Sequence, residues 1–467
     1  MLKLLVNDRA VETDLPPGSS LVDFLRNDLQ LRGTKIGCRE GDCGACTVLA
    51  GELVEGRMRY QSVASCLSPL GNAEGRHIVT IEGINQAHLS AIQAAFVEHN
   101  GTQCGFCTPG FILSLYGFCL GGKELTMANG IEAVAGNICR CAGYAAIKRS
   151  MAAIVDKVQA LDAADPLGWM VANGYLPEYF LGIPGRMAER AQAPRALPDT
   201  GYILAGGTDL LIQDFDGAAD AAQVRLLSGL EGFSRITVES GGCTIGAACT
   251  ISRLKDSAEL NRLIPGLADY LSLVASQPIR NMGTVGGNLA NASPLGDLCV
   301  ILMALDATLL LSGRDGKREV ALKDFYSGYK QARKDPDELI EAIRFETPDA
   351  DTRFSFEKTS KRVHLDMATV NSALRIQLDG GVIRKASLVA GSLGPSVFRL
   401  ERTSAFLEGR TVDNATFREA DRIAQTEISP ISRHPGDGDY KRALLRQQLL
   451  LHLMSCSPGS VTLEALS

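Results

Sequence analysis

The stretch Cys38-Arg39-Glu40-Gly41-Asp42-Cys43-Gly44-Ala45-Cys46, completed by Cys66, decides how the N-terminal part is read. Three cysteines in C-x4-C-x2-C order with a fourth further on match the spacing by which one loop wraps a [2Fe–2S] core. Ferric iron is best held by soft, anionic sulfur, so thiolates suit the task. A loop that brings three ligands onto one small core must bend sharply, and Gly37, Gly41 and Gly44 give it that freedom. Their missing side chains also let backbone N–H groups approach the sulfurs, which offsets the negative charge of a cluster and tunes its potential. A structural zinc site is the alternative. Zinc favours paired C-x2-C knuckles, which the first three cysteines do not form cleanly.

A second set follows. Cys104-x2-Cys107 lies in QCGFCTPG, residues 103–110, and Cys139-x-Cys141 lies in NICRCAGY, residues 137–144. A lone C-x2-C pair is compatible with a redox or a zinc site. The C-x-C partner is tighter than usual zinc spacing. Both pairs sit in loops bounding helical patterns, so a helix bundle would bring four sulfurs together. Eight of the thirteen cysteines thus form two spaced sets. Disulfides are improbable in a reducing cytoplasm, and such crowding indicates ligands. Cys119, Cys243, Cys249, Cys299 and Cys456 match no ligand position and read as small buried hydrophobes. The histidines, at 77, 88, 99, 364, 434 and 452, form no spaced pair.

Outward from these sets, 467 residues imply roughly three domains. With 45% hydrophobic and 21% charged residues and a net charge of −6, nothing favours nucleic acid or an anionic membrane. No run approaches the roughly 20 apolar residues of a membrane span, and the N-terminus lacks a signal peptide's core, so a cytoplasmic location is expected. Residues 1–85 alternate short strands and turns, with Leu21, Phe24 and Leu25 at helical spacing behind Ser20. Residues 86–160 turn helical, with Ile92 and Phe96, then Phe111, Leu115 and Phe118, then Ile147, Met151 and Ile154 on common faces. Leu89 reads as sharing the first of these faces. Prolines and glycines between 161 and 194 read as a linker over a surface, anchored by Trp169. Strands and helices mix over 195–350. Residues 351–467 read as strands at 367–376 and 382–389 followed by helices at 400–407, 417–425 and 440–455.

No G-x-G-x-x-G follows a strand, so a Rossmann dinucleotide fold is not supported. Instead Ile203-Leu204-Ala205-Gly206-Gly207-Thr208-Asp209-Leu210 carries an apolar strand into a glycine turn. Successive N–H groups in such a turn form a nest for a pyrophosphate. A second glycine-rich piece, IRNMGTVGGNLANASPLGD at residues 279–297, adds Asn, Ser, Thr and Asp groups.

The two cysteine sets in this order, with QCGFCTPG and CRCAGY, resemble the iron–sulfur domains of the molybdenum hydroxylases, the family of xanthine dehydrogenase, xanthine oxidase, aldehyde oxidase and carbon monoxide dehydrogenase. CRCAGY replaces the family's CRCTGY, which spares both ligands. Both glycine pieces resemble that family's FAD-binding domain, as do FYSGYK at 325–330 and EKTSKR at 357–362. The resemblance implies a multidomain α+β fold: a β-grasp ferredoxin-like [2Fe–2S] domain (1–85), a helical-bundle [2Fe–2S] domain (86–160), the linker, a two-part α+β FAD-binding domain (195–350) and a C-terminal α+β domain (351–467). It implies that Cys38, Cys43, Cys46 and Cys66 hold one cluster and Cys104, Cys107, Cys139 and Cys141 the other. It places FAD on residues 203–210, Val274, Thr284, Gly287, Asn288, Asp297, Ile340 and Lys358. Tyr329 and Lys358 are expected to border the flavin's working face, and Gln103 to approach a pterin.

No segment resembles a molybdenum-binding domain. The chain therefore resembles the small subunit of the bacterial xanthine dehydrogenase type, with catalytic hydroxylation on a partner. That resemblance implies an oxidoreductase subunit of purine metabolism. It would pass electrons from a molybdopterin centre on a large subunit through two clusters to FAD and then NAD+, in a complex of two small and two large subunits oxidising hypoxanthine or xanthine to urate. The alternatives are a subunit acting with an aldehyde or N-heteroaromatic hydroxylase, or a stand-alone flavin iron–sulfur reductase.

Overall fold

The computed structural model describes residues 1–190, 197–230, 232–239, 241–431 and 436–466. The chain divides into two compact units, residues 1–230 with 275–283, and residues 231–274 with 284–467.

The first unit begins with a five-stranded sheet. Its strands are β1 (Leu2–Val6), β2 (Arg9–Thr13), β3 (Thr47–Val54), β4 (Arg57–Ala64) and β5 (His77–Val79), in the order β2-β1-β5-β3-β4. The Asn7-Asp8 turn closes the β1–β2 hairpin with Asn7 at φ 53°, a conformation asparagine tolerates better than most residues. β1 and β5 run parallel. Leu21, Phe24 and Leu25 are buried as their spacing predicts, on a helical turn that widens to π geometry over Phe24–Asp28. Ser20 precedes that turn without capping it, and its hydroxyl donates instead toward the Cys66 carbonyl at 3.4 Å.

Four helices follow: α1 (Ala91–Glu98), α2 (Thr108–Leu120), α3 (Met127–Val134) and α4 (Tyr144–Lys157). Ser90 and Gln93 exchange hydrogen bonds in a capping box that fixes the start of α1. Ile92, Phe96, Phe111, Leu115, Phe118, Ile147, Met151 and Ile154 close one core. Leu89 does not share it: α1 starts two residues later, and Leu89 is exposed.

The stretch expected as a surface linker is built differently. It folds into α5 (Pro166–Ala172), a 3₁₀ turn and α6 (Ile183–Glu189), and Met170, Phe180 and Ile183 are fully buried. The prolines punctuate helix starts: Asp165 caps α5, and Pro166 and Pro184 occupy first-turn positions where no N–H is needed. Trp169 packs on Tyr175 with ring centroids 5.4 Å apart. Residues 191–194 of that stretch lie outside the described residues, as does His434. A parallel pair, β6 (Tyr202–Leu204) and β7 (Val224–Leu226), completes the unit.

The second unit holds two larger antiparallel sheets beside a short pair of Tyr326–Gly328 with Gln331–Ala332. One combines β8 (Ile236–Glu239), β9 (Gly242–Gly246), β10 (Thr308–Gly313), β11 (Gly316–Ala321) and β12 (Leu339–Glu346), in the order β11-β10-β12-β9-β8. Helices α7 (Val285–Ala290) and α8 (Asp297–Ala304) lie between β9 and β10 in sequence. The other sheet runs β13 (Thr352–Thr359), β14 (Val370–Asp379), β15 (Val382–Gly391) and β16 (Phe398–Arg399). Helices α9 (Glu401–Leu407), α10 (Asn414–Glu427) and α11 (Asp437–Cys456) cover it around Leu374, Leu388, Phe417 and Leu449.

A buried polar chain pins α11 to this sheet. His452 bonds Ser355 Oγ at 2.9 Å and Ser372 Oγ at 2.8 Å, and Gln448 bonds Ser372, Thr359 Oγ1 and the Val370 carbonyl. Ser372 spends its hydroxyl proton on Gln448 Oε1, so His452 donates from Nε2 and accepts at Nδ1. Burial pushes this imidazole down to about 3, so it stays neutral near pH 7. Among the described residues no helix is long and apolar enough to cross a membrane.

Candidate redox cofactor sites

The first cysteine loop folds back on itself through Gly41 at φ 77° and Gly44 at φ 65°. Arg39 also takes positive φ and is tied to Asp23 by two hydrogen bonds of 2.7 and 2.8 Å. The four sulfurs come together in two pairs. Cys46 and Cys66 stand 3.3 Å apart, and Cys38 bonds Cys43. Backbone N–H groups face the sulfurs, that of Glu40 reaching Cys38 at 3.3 Å. The Cys43 contact, aided by the N–H groups of Glu40, Cys43 and Asp42, lowers Cys38 to about 5. Cys46 is lowered by its bond to Cys66, while Cys43 and Cys66 are pushed up by the partner sulfur and by burial. Within each pair one sulfur is thus favoured in the thiolate form that a metal ligand requires.

The second set is assembled by helix starts. Cys107 is the residue before α2, and Cys139 and Cys141 precede α4, whose chain reversal uses Gly143 at φ 74°. Cys104 and Cys141 lie 3.4 Å apart and exposed, and Cys139 bonds Cys107. Burial, then the Cys139 contact, raises Cys107 to about 12. Burial works against Cys139, but the N–H groups of Cys141, Ala142 and Gly143 bring it below its ordinary value. Gln103 is exposed beside Cys104.

Among the described residues no three His, Cys, Asp or Glu side chains converge as one metal ion requires. The cysteines stand instead as four pairs. Two thiolates on one tetrahedral metal at about 2.3 Å stand roughly 3.7 Å apart. One close pair in each set, Cys46–Cys66 at 3.3 Å and Cys104–Cys141 at 3.4 Å, therefore suits a core that takes two thiolates per iron better than a single zinc taking all four. The donor set thus fits [2Fe–2S] chemistry at both places.

The two loops touch directly. The Ile138 N–H donates to the Cys43 carbonyl at 3.0 Å, and Asn137 Nδ2 to the Gly44 carbonyl at 3.0 Å. Ser114 holds the other end of the Asn137 amide at 2.8 Å. A Cβ at Gly44 would collide with Asn137 and with the Gly136 carbonyl. Asn137 stood in the CRCAGY-bearing stretch without a role assigned from sequence. Its partners lie 23 and 93 residues away, beyond the reach of local pattern.

The expected FAD residues fall in both units. In the first, β6 delivers Ile203 and Leu204 into the Ala205-Gly206-Gly207-Thr208 turn, and Asp209 and Leu210 open a short helix. Gly207 has φ 78°, and a Cβ at Gly206 would collide with the Met282 carbonyl. Among the described residues the N–H groups of Gly206, Gly207 and Thr208 have no hydrogen-bond acceptor. Three successive unused donors in a turn built on Gly206 and Gly207 fit a pyrophosphate.

In the second unit, Thr284 caps α7 by accepting from the Gly287 N–H at 3.1 Å, and Gly287 is exposed. Asn288 Oδ1 receives the Cys299 thiol at 3.7 Å. Asp297 is buried between Lys358 Nζ at 2.7 Å and Asn371 Nδ2 at 2.6 Å, and Lys358 also donates to the Leu273 carbonyl at 2.8 Å. Burial raises the Asp297 carboxyl above the ordinary range, although Lys358 and Asn371 oppose it. With only 2% of its side chain exposed, Lys358 is a buried ion-pair partner and not a solvated surface lysine. Val274 and Ile340 are buried, Ile340 on β12 opposite Leu311, and Tyr329 is exposed.

Comparison with known sequences finds four domain matches along the chain. Residues 4–71 match the 2Fe-2S iron-sulfur cluster binding domain, 80–152 the [2Fe-2S] binding domain, 179–348 the FAD binding domain in molybdopterin dehydrogenase, and 355–454 the CO dehydrogenase flavoprotein C-terminal domain. The FAD match starts at residue 179, inside the stretch first read as linker. The chain belongs to the molybdenum hydroxylase family, of which it spans two [2Fe–2S] domains and the FAD-binding domains.

Relatives include xanthine dehydrogenase of Emericella nidulans, 27% identical over 88% of this chain and 35% of the relative, and aldehyde oxidase 2 of Mus musculus, 28% identical over 95% and 38%. The chain thus spans little more than a third of the curated relatives it matches. Among solved structures, reconstituted CO dehydrogenase from Oligotropha carboxidovorans aligns with TM-score 0.52 and 26% identity, over 57% of this chain and 99% of that one. Quinoline 2-oxidoreductase from Pseudomonas putida 86 aligns with TM-score 0.50 and 25% identity, over 55% and 89%.

Proposed function

We propose that the chain is the electron-transfer part of a molybdenum hydroxylase of the xanthine dehydrogenase type. It would receive electrons from a molybdopterin centre on a partner chain that oxidises a purine, and deliver them to NAD+. The observation that carries this reading is the direct hydrogen bond from Ile138 to the Cys43 carbonyl, which joins the backbones of two expected ligand loops at 3.0 Å. When bound, the clusters exchange single electrons and FAD exchanges them singly or as hydride, so the set links a one-electron chain to a two-electron acceptor.

The chain's own residues supply the frame. Cys38, Cys43, Cys46 and Cys66 would hold one cluster, and Cys104, Cys107, Cys139 and Cys141 the other. Exposed Cys104 and Cys141, beside Gln103, put the second set at the surface where a partner can approach. Residues 203–210 of the first unit would take the FAD pyrophosphate on unused N–H groups, and Thr284, Gly287, Asn288, Asp297, Lys358, Val274 and Ile340 of the second unit are proposed as FAD residues as well.

A second reading, an aldehyde or N-heteroaromatic hydroxylase partner, is favoured by aldehyde oxidase 2, which matches at 28% identity beside 27% for xanthine dehydrogenase.

Anaerobic mixing tests the proposal. NADH should bleach the visible absorbance of the FAD-loaded protein and develop the EPR signals of both reduced clusters, whereas xanthine alone should do neither. Turnover of xanthine by this chain alone would contradict the assignment of hydroxylation to a partner. Inertness toward NADH with FAD bound would contradict NAD+ as the acceptor.

A further inference from the structure

Ala205 directly follows β6 and leads into the glycine turn, and its carbonyl is not used in the β6–β7 pairing. The backbone partner of β6 at this end, the Leu227 N–H, goes to Leu204. The Ala205 carbonyl is held instead by Asn72 Nδ2 at 2.7 Å, with Ser228 Oγ more distant at 3.4 Å. Asn72 comes from the first iron–sulfur domain, 133 residues earlier. Because that atom faces a carbonyl oxygen it must be the amide nitrogen. The amide oxygen, Oδ1, is buried with no partner among the described residues. An amide placed with half its capacity unused implies that its donor half matters.

Two further contacts show that the loop carrying Asn72 is shaped to this turn. A Cβ at Gly207 would lie 2.6 Å from the Pro69 ring and 2.9 Å from the Leu67 carbonyl, directly after the expected ligand Cys66. A Cβ at Gly71 would collide with Leu226 on β7. The loop itself is fixed by Leu70 N–H on the Ser19 carbonyl at 2.7 Å and Gly71 N–H on the Pro17 carbonyl at 2.8 Å. The peptide unit is planar, so fixing the Ala205 carbonyl also fixes the opposed N–H of Gly206, the first of the three unused donors.

We propose that Asn72 is a positioning residue for FAD: the first iron–sulfur domain sets the orientation of the pyrophosphate-binding turn through this one amide. The inference rests on the FAD reading of residues 203–210. It also means that loading of the flavin depends on a correctly folded iron–sulfur loop next to Cys66.

Asn72→Asp keeps the shape, removes the donor and sets a carboxylate against the Ala205 carbonyl. In the full chain it should weaken FAD binding roughly tenfold or more, measured by flavin fluorescence. Amide exchange at Gly206–Thr208 in FAD-free protein should quicken, with both clusters' EPR signals unchanged. Asn72→His, which can present a ring N–H, should recover much of the affinity. Wild-type FAD affinity in Asn72→Asp, unchanged exchange, or a histidine variant no better than the aspartate would overturn the proposal. If wild-type protein bound no FAD, the functional reading would fail separately, and the exchange arm would still decide whether Asn72 holds the turn.

Discussion

Replacing Cys43 by serine should remove or distort one of two [2Fe–2S] EPR signals, and replacing Cys139 by serine should do the same to the other. The reason is geometric. Cys43 bonds Cys38 in a loop closed by Cys46 and Cys66, while Cys139 bonds Cys107 in a set closed by Cys104 and Cys141. Serine oxygen is a harder ligand than thiolate and holds ferric iron poorly beside sulfide. Iron content should fall from about four to about two per chain in each variant. Loss of both signals together from either folded variant would mean that the two loops, joined through Ile138 and Cys43, serve one shared centre.

Lys358→Met should destabilise the second unit by about 3–5 kcal/mol, because it strips the counter-charge from a buried carboxyl. Asn371 would remain on one Asp297 oxygen, and the other would lose its 2.7 Å partner. The Leu273 carbonyl would lose its donor as well. Adding Asp297→Leu should recover most of that loss, since two apolar groups in place of a buried pair are often tolerated. Urea unfolding of both variants checks this. A single-variant loss below about 1 kcal/mol, the range of exposed pairs, would show that the pair is not what organises this region.

These residues also show what the sequence could and could not convey. Ligand chemistry is written locally: three cysteines and three glycines within ten positions describe one loop, and the structure closes that loop with Cys66. The amphipathic spacing of Phe111, Leu115 and Phe118 likewise placed them in one core. That Lys358 is a buried ion-pair partner was not legible, because Asp297 lies 61 residues away and a lysine followed by Thr-Ser-Lys-Arg looks solvated until that carboxylate is brought to it. The stretch 161–194 misled because proline breaks a helix interior but suits a first turn, and only the caps at Asp165 and Pro184's position distinguish the two. The glycine turn was legible as a nest. That Asn72, 133 residues earlier, bonds it was not, since nothing near residue 72 signals a partner at 205.

The central claim, that this chain carries two [2Fe–2S] centres and one flavin, is tested most directly by quantifying iron, acid-labile sulfide, zinc and released FAD in the purified protein. About four irons, four sulfides and one FAD per chain, with negligible zinc, is the predicted result. Zinc in place of iron, with no labile sulfide, would contradict it.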